Sequence, residues 1–67
     1  MKRMSDQAEF FIFLLEKYAE AKGTSAKETL NLWKEKGIVD YINEMYEQYH
    51  TERIENAMSD IEKRLDR

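Results

Sequence analysis

Asp6-Gln7-Ala8-Glu9-Phe10-Phe11-Ile12-Phe13-Leu14-Leu15-Glu16-Lys17-Tyr18-Ala19-Glu20-Ala21-Lys22, closed by Gly23, is the stretch whose reading decides the fold. Ala8, Phe11 or Ile12, Leu15, Tyr18 and Ala19 recur at helical spacing. Phe10, Phe13 and Leu14 widen that stripe until the middle of the segment is apolar nearly all round. A helix of that kind is buried on several sides. The expectation is a first helix over residues 6–22 that forms the core of the fold. Asp6 with Glu9 three residues on predicts its cap, the carboxylate of Asp6 accepting from an orphan N–H. Lys22 and Gly23 predict its end, a cation near the last carbonyls and then a residue free to turn left-handed.

Outward from this helix the punctuation repeats. Ser25-Ala26-Lys27-Glu28 is a capping box that opens a second helix over residues 26–36, with Ala26, Leu30 and Trp33 inward and Gly37 as the stop. A third helix is expected over 40–49, capped by Asp40. Tyr41, Ile42, Met45, Tyr46 and Tyr49 make its broad apolar face. Thr51 is the expected cap of a fourth helix over 52–65, whose Ile54, Ala57, Met58, Ile61 and Leu65 form a narrow seam. Between His50 and Thr51 neither glycine nor proline forces a break, so the last two segments are either separate helices or one kinked helix. The fold class read from this pattern is all-α: a small bundle of three to four short helices in a single domain, 1–67.

Composition agrees. Hydrophobic residues make up 42% and charged residues 37%, with no proline and two glycines, which leaves too little turn chemistry for a sheet. With no cysteine, neither a disulfide nor a thiolate metal site can staple so short a chain. Helix packing and association are the remaining sources of stability. The longest apolar run, Phe10–Leu15, is six residues, far below the ~20 of a membrane span. Met1-Lys2-Arg3-Met4 leads into polar residues without a cleavage site, so the expected location is cytoplasmic, away from membranes.

Charge is unevenly spread along the chain, whose net charge is −3. From Lys17 to Lys36 five lysines stand against Glu20, Glu28 and Glu35; from Asp40 to Arg67 eight acids stand against four bases. The basic 17–36 region supports an alternative reading as a small nucleic-acid-binding regulator, with Lys27, Lys34 and Lys36 on the second helix of a helix-turn-helix. The N-terminal turn of that helix offers Ala26, Lys27, Glu28 and Thr29, poor material for reading base edges. The acidic balance also disfavours phosphate.

Chemical motifs are sparse. His50 is the lone side chain that ordinarily titrates near neutrality, and its local neighbours Glu47, Thr51 and Glu52 assemble no catalytic order. Glu47-Gln48-Tyr49-His50 has the spacing of half a dinuclear metal motif, but it occurs once. The pairs Asp40 with Glu44, Glu44 with Glu47 and Glu52 with Glu55 read as a solvated acidic face. The aromatic residues read as core, with some tyrosines left at its edge, where amphipathic rings favour partner contact. No enzymatic role, metal or cofactor is expected.

Leu15-Glu16-Lys17-Tyr18-Ala19, Ser25-Ala26-Lys27-Glu28, Gly37-Ile38-Val39-Asp40-Tyr41-Ile42, Tyr49-His50-Thr51 and Asp60-Ile61 follow one another at spacings that resemble a family of very short bacterial proteins classed only as a domain of unknown function. The resemblance spans nearly the whole chain and lies in order and spacing rather than in any one motif. Tyr49 stands where the pattern has an aliphatic residue and Trp33 where it has Phe; both keep bulk. Members are often encoded beside toxin-like proteins, ADP-ribosyltransferase-like ones included, so the resemblance implies an antitoxin or accessory partner of a neighbouring effector. It brings no catalytic residue.

The function expected from the chain is a cytoplasmic protein–protein interaction module that binds another protein or a second copy of itself as a homodimer. The candidate partner-binding residues are Tyr46, Tyr49, His50, Ile61 and Leu65.

Overall fold

A computed structural model describes residues 5–66, and among them every regular element is helical. There are five helices rather than three or four: α1 Asp6–Lys22, α2 Ala26–Glu35, α3 Ile38–Glu44, α4 Tyr46–Tyr49 and α5 Ile54–Leu65.

Helix α1 has the expected length but a different cap. Ser5 adopts extended backbone and its Oγ accepts from the Ala8 N–H at 3.1 Å, so Asp6 is the first helical residue. Its carboxylate and that of Glu9 lie in the first turn, where the helix dipole favours them. At the other end Gly23 is left-handed (φ 68°), and the N–H groups of Gly23 and Thr24 close on the carbonyls of Glu20 and Ala19. Helix α2 opens on the anticipated box: the Glu28 N–H donates to Ser25 Oγ at 3.1 Å, and the Ser25 hydroxyl donates to Glu28 Oε1.

Gly37 (φ 73°) does more than stop α2. It caps α3, which begins at Ile38, so Asp40 lies inside a first turn instead of capping one. The physical reason is burial: Ile38 is 1% exposed, and re-entering the helix directly after the turn delivers it to the core. The expected helix over 40–49 is two, interrupted at Met45 (φ −92°, ψ 4°). Across the interruption the Met45 carbonyl accepts from both Gln48 and Tyr49. Thr51 does not cap the last helix. Its hydroxyl donates back to the Gln48 carbonyl at 2.9 Å and finishes α4, and α5 starts two residues past Glu52 with no side-chain cap. The last two segments are thus separate helices.

The core gathers Leu14, Leu15 and Tyr18 from α1, Trp33 from α2, Ile38 and Ile42 from α3, Tyr49 from α4, and Ala57 and Ile61 from α5. Trp33 lies at its centre, fully buried, with Phe11 and Tyr18 edge-on at 5.9 and 5.5 Å, the arrangement that ring quadrupoles favour. Helix α1 touches α2, α3 and α5, and Gln7 Nε2 ties its start to Asn43 Oδ1 at 3.2 Å. Burial on all sides is nevertheless not what α1 achieves: Ile12 and Phe13 are 38% and 49% exposed. Six consecutive apolar residues cover more of a helix than the four other, shorter helices can enclose. Among the described residues no helix is long and apolar enough to cross a membrane.

Candidate functional site

The five residues expected to meet a partner separate into two groups. Tyr49 and Ile61 are 0% exposed, which corrects their assignment as contact residues; a partner cannot reach them without unfolding the chain. The α5 seam to which Ile61 belongs is completed by the protein's own core. Leu65 is half-buried against that core, Tyr46 is half-buried, and His50 is exposed.

Tyr49 owes its burial to a chain of hydroxyls. Its OH donates to Asp60 Oδ2 at 2.8 Å and so accepts from Tyr41 OH at 2.6 Å, while the Arg64 guanidinium lies 3.7 Å above the Tyr41 ring. Burial first, and then the hydrogen bonds to Tyr41 and Asp60, push the Tyr49 hydroxyl far above the ordinary tyrosine range. What the arrangement does is clasp α3, α4 and α5 together. Burial, and secondarily Asp66, raise Tyr18 in the same direction.

Tyr46 and His50 do meet. Their rings stack at 4.8 Å and 17°, and His50 donates from Nδ1 to the Tyr46 carbonyl at 2.9 Å. The other edge of Tyr46 meets Phe10 of α1 at 5.6 Å. Phe10 is followed three residues later, on the same side of the helix, by Phe13, with Lys17 Nζ 5.7 Å from the Phe13 ring centre. Phe10, Tyr46 and His50 are in ring contact, and Phe13, placed by helical spacing one turn along α1, extends them into an aromatic ridge across α1 and α4. Pattern reading assigned the whole run Phe10–Leu15 to the core; Phe10 does pack against it, whereas Ile12 and Phe13 face outward. The available signal was that run itself, apolar around a circumference that so short a chain cannot cover.

The remaining candidates are less organised. Lys22 pairs with Glu62 and leans toward the Tyr18 ring, whereas Lys27, Lys34 and Lys36 are exposed. Glu47 and His50 are both at the surface, and among the described residues no three His, Asp or Glu side chains converge as a metal would require. Ala21 and Lys22 of α1 face Glu55, Met58, Ser59 and Glu62 of α5 across a shallow, open groove of mixed charge.

Residues 9–67 match the model of a family described as Protein of unknown function (DUF3791). No curated protein and no solved structure matches the chain.

Proposed function

The chain belongs to that family of unknown function, DUF3791, and from this premise we propose that it is a protein-binding module whose contact surface is the ridge of Phe10, Phe13, Tyr46 and His50. The observation that carries the reading is the 49% exposure of Phe13 beside Phe10 and the Tyr46–His50 stack. In a chain this short, with most of its large apolar side chains at least half-buried, an outward phenylalanine on the longest helix has no use in the fold. Rings that are already positioned lose little entropy on binding, and aromatic residues dominate interface energetics. Ile12 and Phe13 are already about half-buried, so covering the rest of each is worth about 0.5–1.5 kcal/mol. The role is that of a cytoplasmic neutralising or accessory partner of an effector, as the family resemblance implies. Tyr46 and His50 keep the contact role expected of them; Tyr49 and Ile61 belong to the core.

Site-specific photocrosslinking in the native host tests this. With p-benzoylphenylalanine replacing Phe13, irradiation should yield a discrete covalent adduct, and the same probe replacing the exposed Asn56 of α5 should not. No adduct at position 13, or equal adducts at both, removes the ridge as the contact.

The nucleic-acid reading has one observation in its favour: Lys27, Asn31 and Lys34 share an exposed face of α2. Lys22 is tied to Glu62 and Glu28 and Glu35 flank that face, so the positive charge left for phosphate is small. A gel shift at low salt that weakened steeply with added salt would favour it.

A further inference from the structure

Resting on the ridge reading, we infer that the partner presents a cationic amphipathic helix, its apolar side covering Phe13 and Ile12 and its arginines lying against the ring faces and carboxylates around them. Helical spacing places Glu9, Phe10, Glu16 and Lys17 as the surface neighbours of Phe13, and Glu9 and Glu16 also flank Ile12. The exposed apolar pair is therefore bordered by two carboxylates, with Asp6 one turn toward the N-terminus of α1 and Glu47 beside Tyr46. Among the described residues the cation at these neighbouring positions is Lys17, and it already rests over the Phe13 ring.

A second copy of this chain is the wrong occupant. Ridge against ridge would set Glu9 and Glu16 against the same carboxylates, at a cost in repulsion and desolvation. A cationic surface meets those groups with opposite sign and pairs with them at the rim of an apolar contact. The molecule's own rings take cations in this way: Lys17 on Phe13, and Arg64 on Tyr41 at 3.7 Å. Arginine suits the site better than lysine because its planar fork can stack on a ring and pair with a carboxylate at once. A partner arginine would displace the single flexible contact from Lys17. A helix is the matching shape, since the 17-residue α1 offers a row of apolar and acidic positions that a second helix can follow.

The probes are three 18-residue amphipathic peptides identical in their leucine positions, carrying arginine, citrulline or glutamate at the flanking positions. Each is titrated into the full, uniformly 15N-labelled chain and followed by amide chemical shifts. The arginine peptide should give saturable shifts at residues 9–17, 46 and 50, weakening about tenfold or more between ~50 and ~500 mM salt as exposed pairs are screened. Glu9→Gln with Glu16→Gln should weaken it about tenfold, and Phe13→Ser should remove the shifts. Equal binding of the citrulline peptide overturns the cationic partner while the ridge stands. Binding of the arginine peptide that Phe13→Ser leaves intact overturns both readings. Absence of shifts with all three peptides overturns the helical cationic partner and leaves the crosslinking result to decide the ridge.

Discussion

Thr29 and Trp33 stand one turn apart on the inner face of α2, both buried, and among the described residues neither Thr29 Oγ1 nor Trp33 Nε1 has a hydrogen-bond partner. A buried hydroxyl without a partner loses its hydration and gains nothing in return. Thr29→Val, which keeps the branched shape, should stabilise the protein by about 1 kcal/mol, read as a higher urea midpoint at unchanged slope. Tyr49 behaves in the opposite way, since its hydroxyl is fully engaged. Tyr49→Phe breaks the link between Tyr41 and Asp60 and should cost about 1–3 kcal/mol. Because the folded state holds the proton on Tyr49 more firmly than the unfolded chain does, this stabilisation is complete below the ordinary tyrosine value of 10.0 and is lost as pH rises above it. Wild-type stability should therefore fall on the alkaline side, and Tyr49→Phe should fall less steeply, with Tyr18 supplying the remaining slope. The engagement of Tyr49 was not legible beforehand. Its partner Asp60 lies 11 residues away, beyond two helix ends, and no local periodicity carries that information.

At the scale of elements, the boundaries that one residue decides were readable and those that packing decides were not. Gly23 and Gly37 marked turns because only glycine takes positive φ without strain, and Ser25 with Glu28 announced α2. That α3 re-enters directly after Gly37 rather than at Asp40, and that the helix breaks at Met45, have no such marker. They follow from bringing Ile38 and Tyr49 into the core and Tyr46 to Phe10. Thr51 misled because a hydroxyl that can cap the next helix can equally bond back to the carbonyl three residues before it. Gly37→Ala isolates the conformational part of such a turn. A β-carbon there meets nothing within 4 Å, so its cost is the left-handed backbone alone, about 1 kcal/mol. Gly23→Ala meets equally open space and should cost the same. The two are far apart in the chain, and the double variant should lower the melting temperature by the sum of the single shifts. A larger combined loss would mean that the two turns are coupled through α2.

For the whole molecule, the same apolar letter serves the fold in one place and the surface in another, and only tertiary structure distinguishes them. Ile61 lies in a regular seam that read as an unpartnered stripe and is 0% exposed; Phe13 lies in a run that read as core and is 49% exposed. Substitution by aspartate at each position turns this inversion into a measurement. At position 61 the carboxylate would sit inside the buried core cluster, which among the described residues contains no cation. Burying an unpaired charge costs several kcal/mol, comparable to the whole stability of a domain this size. Ile61→Asp should therefore lose the cooperative thermal transition altogether. Phe13→Asp, at a half-exposed position between Glu9 and Glu16, should keep the helical circular dichroism signal and cost about 1–2 kcal/mol, yet abolish the position-13 contact. If Ile61→Asp melts normally while Phe13→Asp unfolds, the inside and outside of α1 and α5 have been exchanged. The ridge would then be core, and the α5 seam would again be open to a partner.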